Sequence, residues 1–218
     1  VIALAARGGG YEAEWAGNFT AGTTGQHKGF KTASDEAYRF LSDYITRHKG
    51  EFKENIKLWL VGYSRAGATV NLLAGRLTDE GEIAGIRFDK ENLYAYCFEP
   101  AMGALMSQVQ PVSKYTNIHN IVNQNDLVTK VAPSAWGFTR YGVDERVIPT
   151  KLTSSNSELF AKMLEKFKEL DTEWVRESIV GDKHIVDTFQ GKKINPDISV
   201  DFGHWENRTG IFGIEYWV

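Results

Sequence analysis

The stretch Lys57–Leu77, KLWLVGYSRAGATVNLLAGRL, restricts the fold more than any other part of the chain. Leu58-Trp59-Leu60-Val61 is a short continuous apolar run, the pattern of a strand buried on both faces. Gly62-Tyr63-Ser64-Arg65-Ala66-Gly67 follows at once, and then Val70, Leu72, Leu73 and Leu77 recur at helical spacing among small residues. Strand, sharp turn with a central serine, then helix is the setting of a nucleophile elbow, in which a strained turn lifts the serine hydroxyl into the open. The Arg65 amide then lies at a helix N-terminus, where donors and the helix dipole favour developing negative charge. The pattern departs from Gly-x-Ser-x-Gly by one methyl group, with Ala66 in the last slot and Gly67 next. An ordinary turn in which Ser64 caps the helix would use the same residues.

The remaining chemistry is bounded by composition. A formal charge of −3 with no basic face argues against nucleic-acid binding. No apolar run approaches the roughly 18 residues of a membrane span, and a mean hydropathy of −0.33 is that of a soluble globular protein. The single Cys97, inside NLYAYCF, excludes an internal disulfide framework and a multi-cysteine metal site, and reads as a buried strand residue. The chain does not begin with Met and opens inside an apolar run, Val1–Ala6, too short for a signal peptide. It therefore reads as lacking N-terminal elements, and whether the protein is exported is left open. With 218 residues and no repeat, low-complexity tract or linker, residues 1–218 read as one domain.

In chain order, Val1–Ala6 reads as a buried strand running into Arg7-Gly8-Gly9-Gly10, a loop whose amides can approach a ligand closely. Gly8 and Gly9 are the candidates for a second oxyanion donor. Tyr11–Gly25 lacks periodicity and reads as a loop or short helix, the place to look for a lid. A helix is expected from Thr32-Ala33-Ser34, with Asp35 and Glu36 in its first turn, a stripe of Ala37, Phe40, Leu41, Tyr44 and Ile45, and a stop at Gly50. His27 and His48 read as structural. Thr78–Glu91 reads as turn-like, Asn92–Phe98 as a strand ending at Glu99-Pro100, and Ile118–Asn123 as another in which His119 is packed or half-exposed. Asn123-Gln124-Asn125-Asp126 ends that strand in turn-forming residues, which puts Asp126 at the sheet edge where ligands collect, or simply in a turn that it holds itself. Trp136–Val147 reads as loop and short strand, Ser157–Leu170 as an amphipathic helix, Thr172–Val180 as a further helix, and Gly181–Val200 as polar.

A serine hydrolase needs a nucleophile, an imidazole that takes and returns its proton, and a carboxylate that fixes the imidazole. Ser64, Asp126 and a late histidine occur in the order used by α/β-hydrolases. Two histidines follow Asp126. His204, in a Gly-containing loop near the C-terminus, is favoured over His184 as the base.

The separated pieces, taken together, resemble the class 3 (fungal-type) lipase family and its bacterial relatives. Ala6-Arg7-Gly8-Gly9 is similar to the family's Arg-Gly-Thr/Ser oxyanion loop, which implies the Gly9 amide as donor beside that of Arg65. Glu14–Phe19 resembles its Asp/Glu-Trp-x-x-Asn segment, and His27-Lys28-Gly29-Phe30 its His-x-Gly-Phe. Leu60–Ala68 resembles the Gly-His-Ser-x-Gly-Gly-Ala elbow, Phe98-Glu99-Pro100 a shortened Phe-Gly-x-Pro, and Ile121–Val128 the Val-x-Asn-x-x-Asp-x-Val that carries the triad acid. The resemblance runs from Val1 to about Tyr141. Gly9 stands where many relatives have a hydroxyl residue, and nothing between Tyr141 and His204 aligns.

The resemblance implies an α/β-hydrolase fold, a mostly parallel sheet with helices on both faces. It further implies cleavage of lipid or acylglycerol-type esters by a Ser64–Asp126–His204 triad, with no metal or organic cofactor, no nucleic-acid partner, and transient contact with a lipid interface. Acyl-chain length and oligomeric state stay open. So do two alternatives: amide or thioester cleavage by the same triad, and a non-catalytic binding protein of the same fold.

Overall fold

The computed structural model describes residues 1–8, 18, 20–22, 25–52, 55–123, 126 and 128–147, and the backbone of the strands lying between 174 and 217. In chain order the elements are β1 (Ile2–Ala6), α1 (Lys28–His48), β2 (Leu58–Tyr63), α2 (Arg65–Glu80), β3 (Glu82–Ile83), β4 (Ile86–Arg87), β5 (Leu93–Phe98), β6 (Ala104–Leu105), β7 (Ile118–Asn123), β8 (Phe138–Thr139) and β9 (Val143–Val147). Strands β10 (Trp174–Val180) and β11 (Lys183–Phe189) form an antiparallel pair, as do β12 (Asn207–Thr209) and β13 (Glu215–Trp217).

Five strands make one sheet in the order β1-β2-β5-β7-β9, and every pairing in it is parallel. Such strands need crossovers, which α1 and α2 supply from β1 to β2 and from β2 to β5. Both crossovers step in the same direction across the sheet, so right-handed connections put both helices on one face. The fold is thus the α/β arrangement with a parallel sheet expected from the elbow, but among the described residues its two helices lie on one face rather than on both.

Alternation along the strands agrees with this. Leu58, Leu60, Leu93, Ala95, Cys97 and Ile118 are fully buried under α2, whose Val70, Leu73, Ala74 and Leu77 are equally inaccessible. Each of the leucine, isoleucine and valine side chains contributes about 1.5–3 kcal/mol on leaving water. The apolar run Leu58–Val61 is not buried on both faces among the described residues, because Trp59 points to the other side and stays 48% exposed. That second face carries an aromatic row in which Trp59 meets Tyr96 edge-on and Tyr96 stacks on His119, which bonds Glu145 at 2.6 Å. Among the described residues no helix is long and apolar enough to cross a membrane.

Small residues let α2 lie close to the sheet. A Cβ at Gly75 would fall 2.3 Å from the Tyr141 ring, and one at Gly67 2.9 Å from the Phe98 carbonyl. A buried amide cluster then ties the helix to the far strands. The Asn71 side chain donates to Asn120 Oδ1 and to the Tyr141 carbonyl, both at 2.9 Å, and accepts the Tyr141 N–H at 3.0 Å. Asn120 in turn donates to Asp144 on β9 at 3.1 Å.

Several expectations need correction. Helix α1 begins at Lys28, about one turn before Thr32, because the His27 side chain caps it by accepting the Phe30 N–H and stacks on the Phe30 ring. Asp35 and Glu36 consequently sit beyond the first turn. Within Thr78–Glu91, α2 runs on to Glu80, stops at left-handed Gly81, and gives way to the β3–β4 hairpin. Trp136–Val147 supplies a full sheet strand: Val143-Asp144-Glu145-Arg146-Val147 reads as polar because β9 is the last strand of the sheet among the described residues, with Val143, Asp144 and Glu145 exposed. Thr172–Val180 is not helical over Trp174–Val180, where Val175 and Ile179 suit the extended pairing with Lys183–Phe189. The helix expected over Ser157–Leu170 lies outside the described residues.

Candidate active site

All strands of a parallel sheet end at the same edge, and the residues singled out by sequence collect there. Gly8 follows β1, Ser64 follows β2, Glu99 follows β5, and Asp126 leaves β7 by a short turn. Ser64 and Asp126 therefore belong to strands two positions apart, about 10 Å at the usual strand spacing. An imidazole with a hydrogen bond at each end can bridge a gap of that order.

Ser64 has the backbone of an elbow. Its φ of 59° and ψ of −126° lie in the left-handed half of the map, rare for a residue with a Cβ. Its amide donates to the Phe98 carbonyl on β5 at 2.9 Å, which fixes the turn to the neighbouring strand. Its hydroxyl makes no capping bond to α2 among the described residues, so the helix-cap reading of this serine finds no support. The turn closes through glycines on both sides. A Cβ at Gly62 would stand 2.3 Å from the Ala66 carbonyl oxygen, while Gly67 takes the close approach to β5. The extra methyl of Ala66 is accommodated because these two positions carry the steric demand.

The Arg65 N–H is the first amide of α2, at the positive end of the helix dipole. Its guanidinium donates to Asn18 Oδ1 at 2.7 Å and packs over the Phe30 ring, tying the elbow to the start of α1. The Gly8 Cα lies close enough to β2 that an added Cβ would be 3.3 Å from the Tyr63 carbonyl, so the loop after β1 passes beside the elbow. Gly9 itself, most of Tyr11–Gly25 and His204 lie outside the described residues. A groove of about 480 Å³ runs along β1 and α1, lined by Leu4, Ala6, Ala37, Phe40 and Ala66, but Ser64 does not line it.

Asp126 is buried, with its Oδ1 accepting the Val128 N–H at 2.9 Å and its own amide donating to the Asn123 carbonyl at 3.1 Å. Burial pushes its carboxyl up to about 8 and the nearby Glu99 adds to this, while the Val128 amide, Arg140 and Lys130 pull the other way. Glu99 is likewise pushed up by burial, to about 7, against the Asn123 amide and Arg140. Arg140 donates to the Pro100 carbonyl at 2.8 Å, to the Thr129 carbonyl, and to Asp144 at 3.1 Å. Sequence reading missed Glu99 and Arg140. A charged residue between a buried strand and a proline was the available signal for Glu99, and nothing local marked Arg140.

The raised carboxyls make a stability prediction. Both bind protons more tightly in the folded chain than at the unfolded values near 4, so stability falls as pH rises from about 4 through about 7 to 8. Asp126→Asn keeps an acceptor for Val128 and removes the charge. It should gain on the order of 1–3 kcal/mol at pH 8 and little at pH 4, as read by urea melts at the two pH values.

Three histidines have other occupations. His27 is buried at the α1 cap, with its other ring nitrogen bonded to the Asn18 carbonyl at 3.0 Å. His48 ends α1 at the opposite edge of the sheet and pairs with Glu51. His119 belongs to the outer-face row and is part-exposed, as expected. His184 lies in β11, opposite Ile179.

Residues 6–136 match the family model described as lipase (class 3). Among solved structures, the lipase from Rhizopus microsporus var. chinensis is similar at 20% identity over 56% of this chain and 41% of its own, with a TM-score of 0.43. The Rhizomucor miehei triacylglyceride lipase is similar at 26% identity over 56% and 44%, TM-score 0.43. A triacylglycerol lipase described as having a serine protease triad at its catalytic centre is similar at 25% identity over 57% and 45%, TM-score 0.48. The chain thus spans less than half the length of these lipases. Comparison with curated proteins gave no match.

Proposed function

This chain belongs to the class 3 lipase family, and from that premise we propose that it hydrolyses carboxylic esters of the lipid or acylglycerol type through an acyl-Ser64 intermediate. The observation that carries the reading is the strained backbone of Ser64 at a strand-to-helix turn, with its hydroxyl not used to cap the helix. A serine held this way is presented to a substrate.

In the proposed mechanism the Ser64 hydroxyl attacks the ester carbonyl while His204 takes its proton. Asp126 holds the imidazole in the right tautomer and offsets its positive charge. The Gly9 and Arg65 amides hold the oxyanion, helped by the α2 dipole. His204 then protonates the leaving alcohol, and a water molecule activated by the same imidazole releases the acid. Residues 1–218 act as one hydrolase domain in this reading.

The test is hydrolysis of p-nitrophenyl butyrate and palmitate by the full chain, by His204→Ala and by His184→Ala. His204→Ala should lose at least about a thousandfold in kcat, while His184→Ala should stay within a few-fold of the parent. The butyrate-to-palmitate ratio sorts esterase from lipase. Loss with His184→Ala alone would move the base to His184, and no hydrolysis by a folded parent would overturn the reading.

A further inference from the structure

Glu99 sits between the strand that carries Ser64 and the strand that leads to Asp126. It grips the end of β7 twice. Its amide donates to the Ile121 carbonyl at 2.8 Å, and its Oε2 accepts the Asn123 N–H, also at 2.8 Å. The Asn123 carbonyl in turn receives the Asp126 amide. The turn that delivers Asp126 is therefore anchored at its root by the Glu99 carboxylate.

This residue is costly for stability alone. Its backbone has φ 46°, where glycine would fit without strain, and the residue is buried, 7% exposed as a whole. An observed outlier of this kind beside a candidate site is a reason to look for a role.

We propose that Glu99 is the positioning residue of the acid limb: it holds the Asn123–Asp126 turn in place and, by its own charge, governs when Asp126 becomes anionic. The proposal rests on the assignment of Asp126 as the acid that serves Ser64. Among the described residues two cations and two backbone amides act on the pair. Arg140 acts on both carboxyls, but it is already bonded to Asp144 and to two carbonyls, and Lys130 acts on Asp126. Cys97, buried beneath, is pushed up to about 12 and stays a neutral thiol. The amides of Asn123 and Val128 each serve one carboxylate. Two buried carboxylates with one shared and committed guanidinium repel, and that repulsion adds to burial in raising Asp126. A negative Glu99 thus delays the ionisation that the imidazole partner requires, and removing its charge must move that ionisation to lower pH.

The experiment is the pH dependence of kcat/KM for p-nitrophenyl butyrate on the full chain, Glu99→Gln and Glu99→Ala, with Ser64→Ala as the control for turnover at Ser64. In parallel, a carboxyl ¹³C titration follows Asp126 without relying on turnover. Glu99→Gln keeps an acceptor for Asn123 and should move both the acidic limb and the Asp126 midpoint down by about one pH unit. Glu99→Ala should also lower kcat about 10- to 100-fold with little change in KM, because the turn loses its anchor. A Gln variant whose limb and Asp126 midpoint match the parent overturns the proposal, even where the Ala variant fails to fold. A parent that shows no Ser64-dependent hydrolysis overturns the esterase reading instead, and the Asp126 titration then still decides whether Glu99 controls its charge.

Discussion

Replacing Ser64 by alanine is expected to lower kcat for ester hydrolysis by a factor on the order of 10⁴ or more, leaving the slow background that an oxyanion site alone supplies. Glycine at the same position should be equally inactive, yet the two variants should differ in stability. The Ser64 backbone sits at φ 59°, a conformation that costs a Cβ-bearing residue on the order of 1–3 kcal/mol. Ser64→Gly releases that strain, whereas Ser64→Ala retains it. The melting temperature should therefore rise for Gly, by the equivalent of about 1 kcal/mol, and stay near the parent for Ala. A serine that merely capped α2 would behave the other way, with Ala costing about 1 kcal/mol and Gly only a few tenths. Thermal melts of the two variants thus separate an elbow from a cap with no substrate present.

Gly62→Val is expected to be the most damaging single change near the site. Even a lone Cβ there would lie 2.3 Å from the Ala66 carbonyl oxygen and 2.6 Å from its carbon, and both are backbone atoms that cannot rotate away. The first turn of α2 would have to move off β2, taking Ser64 and the Arg65 amide with it. The cost should exceed about 3 kcal/mol, with hydrolysis lost even in the fraction that folds. Gly50→Ala serves as the comparison, since nothing lies within 4 Å of a Cβ at that position. Urea melts of both variants check the difference. Equal effects would mean that the elbow is not held by close approach at Gly62.

What the sequence disclosed was what local pattern can encode. The apolar run before Ser64, the small residues around it and the strand that ends at Asn123 all follow from a few residues each, and each lies where the pattern puts it. The parallel sheet follows from the same strand and helix periods, because parallel neighbours require crossover helices. Features set by distant partners were hidden. The start of α1 depends on a buried His27 held by Asn18 and stacked on Phe30, which helix propensity does not register. Strand β9 is polar because it is the last strand of the sheet among the described residues, so it carries little hydrophobic alternation. Glu99 looks like an ordinary strand end until β7 is placed beside it. Arg140 gains its meaning only from carbonyls at Pro100 and Thr129 and from Asp144.

The central claim is that Ser64 is an activated nucleophile, and covalent labelling tests it most directly. The folded full chain is treated with a fluorophosphonate probe, and the adduct is mapped by peptide mass spectrometry. One rapid adduct on Ser64, absent from Ser64→Ala and much slower in His204→Ala, is the predicted result. Intact Ser64 after prolonged exposure, in a chain whose melt shows it to be folded, would contradict the account and leave a hydrolase fold that binds without cutting.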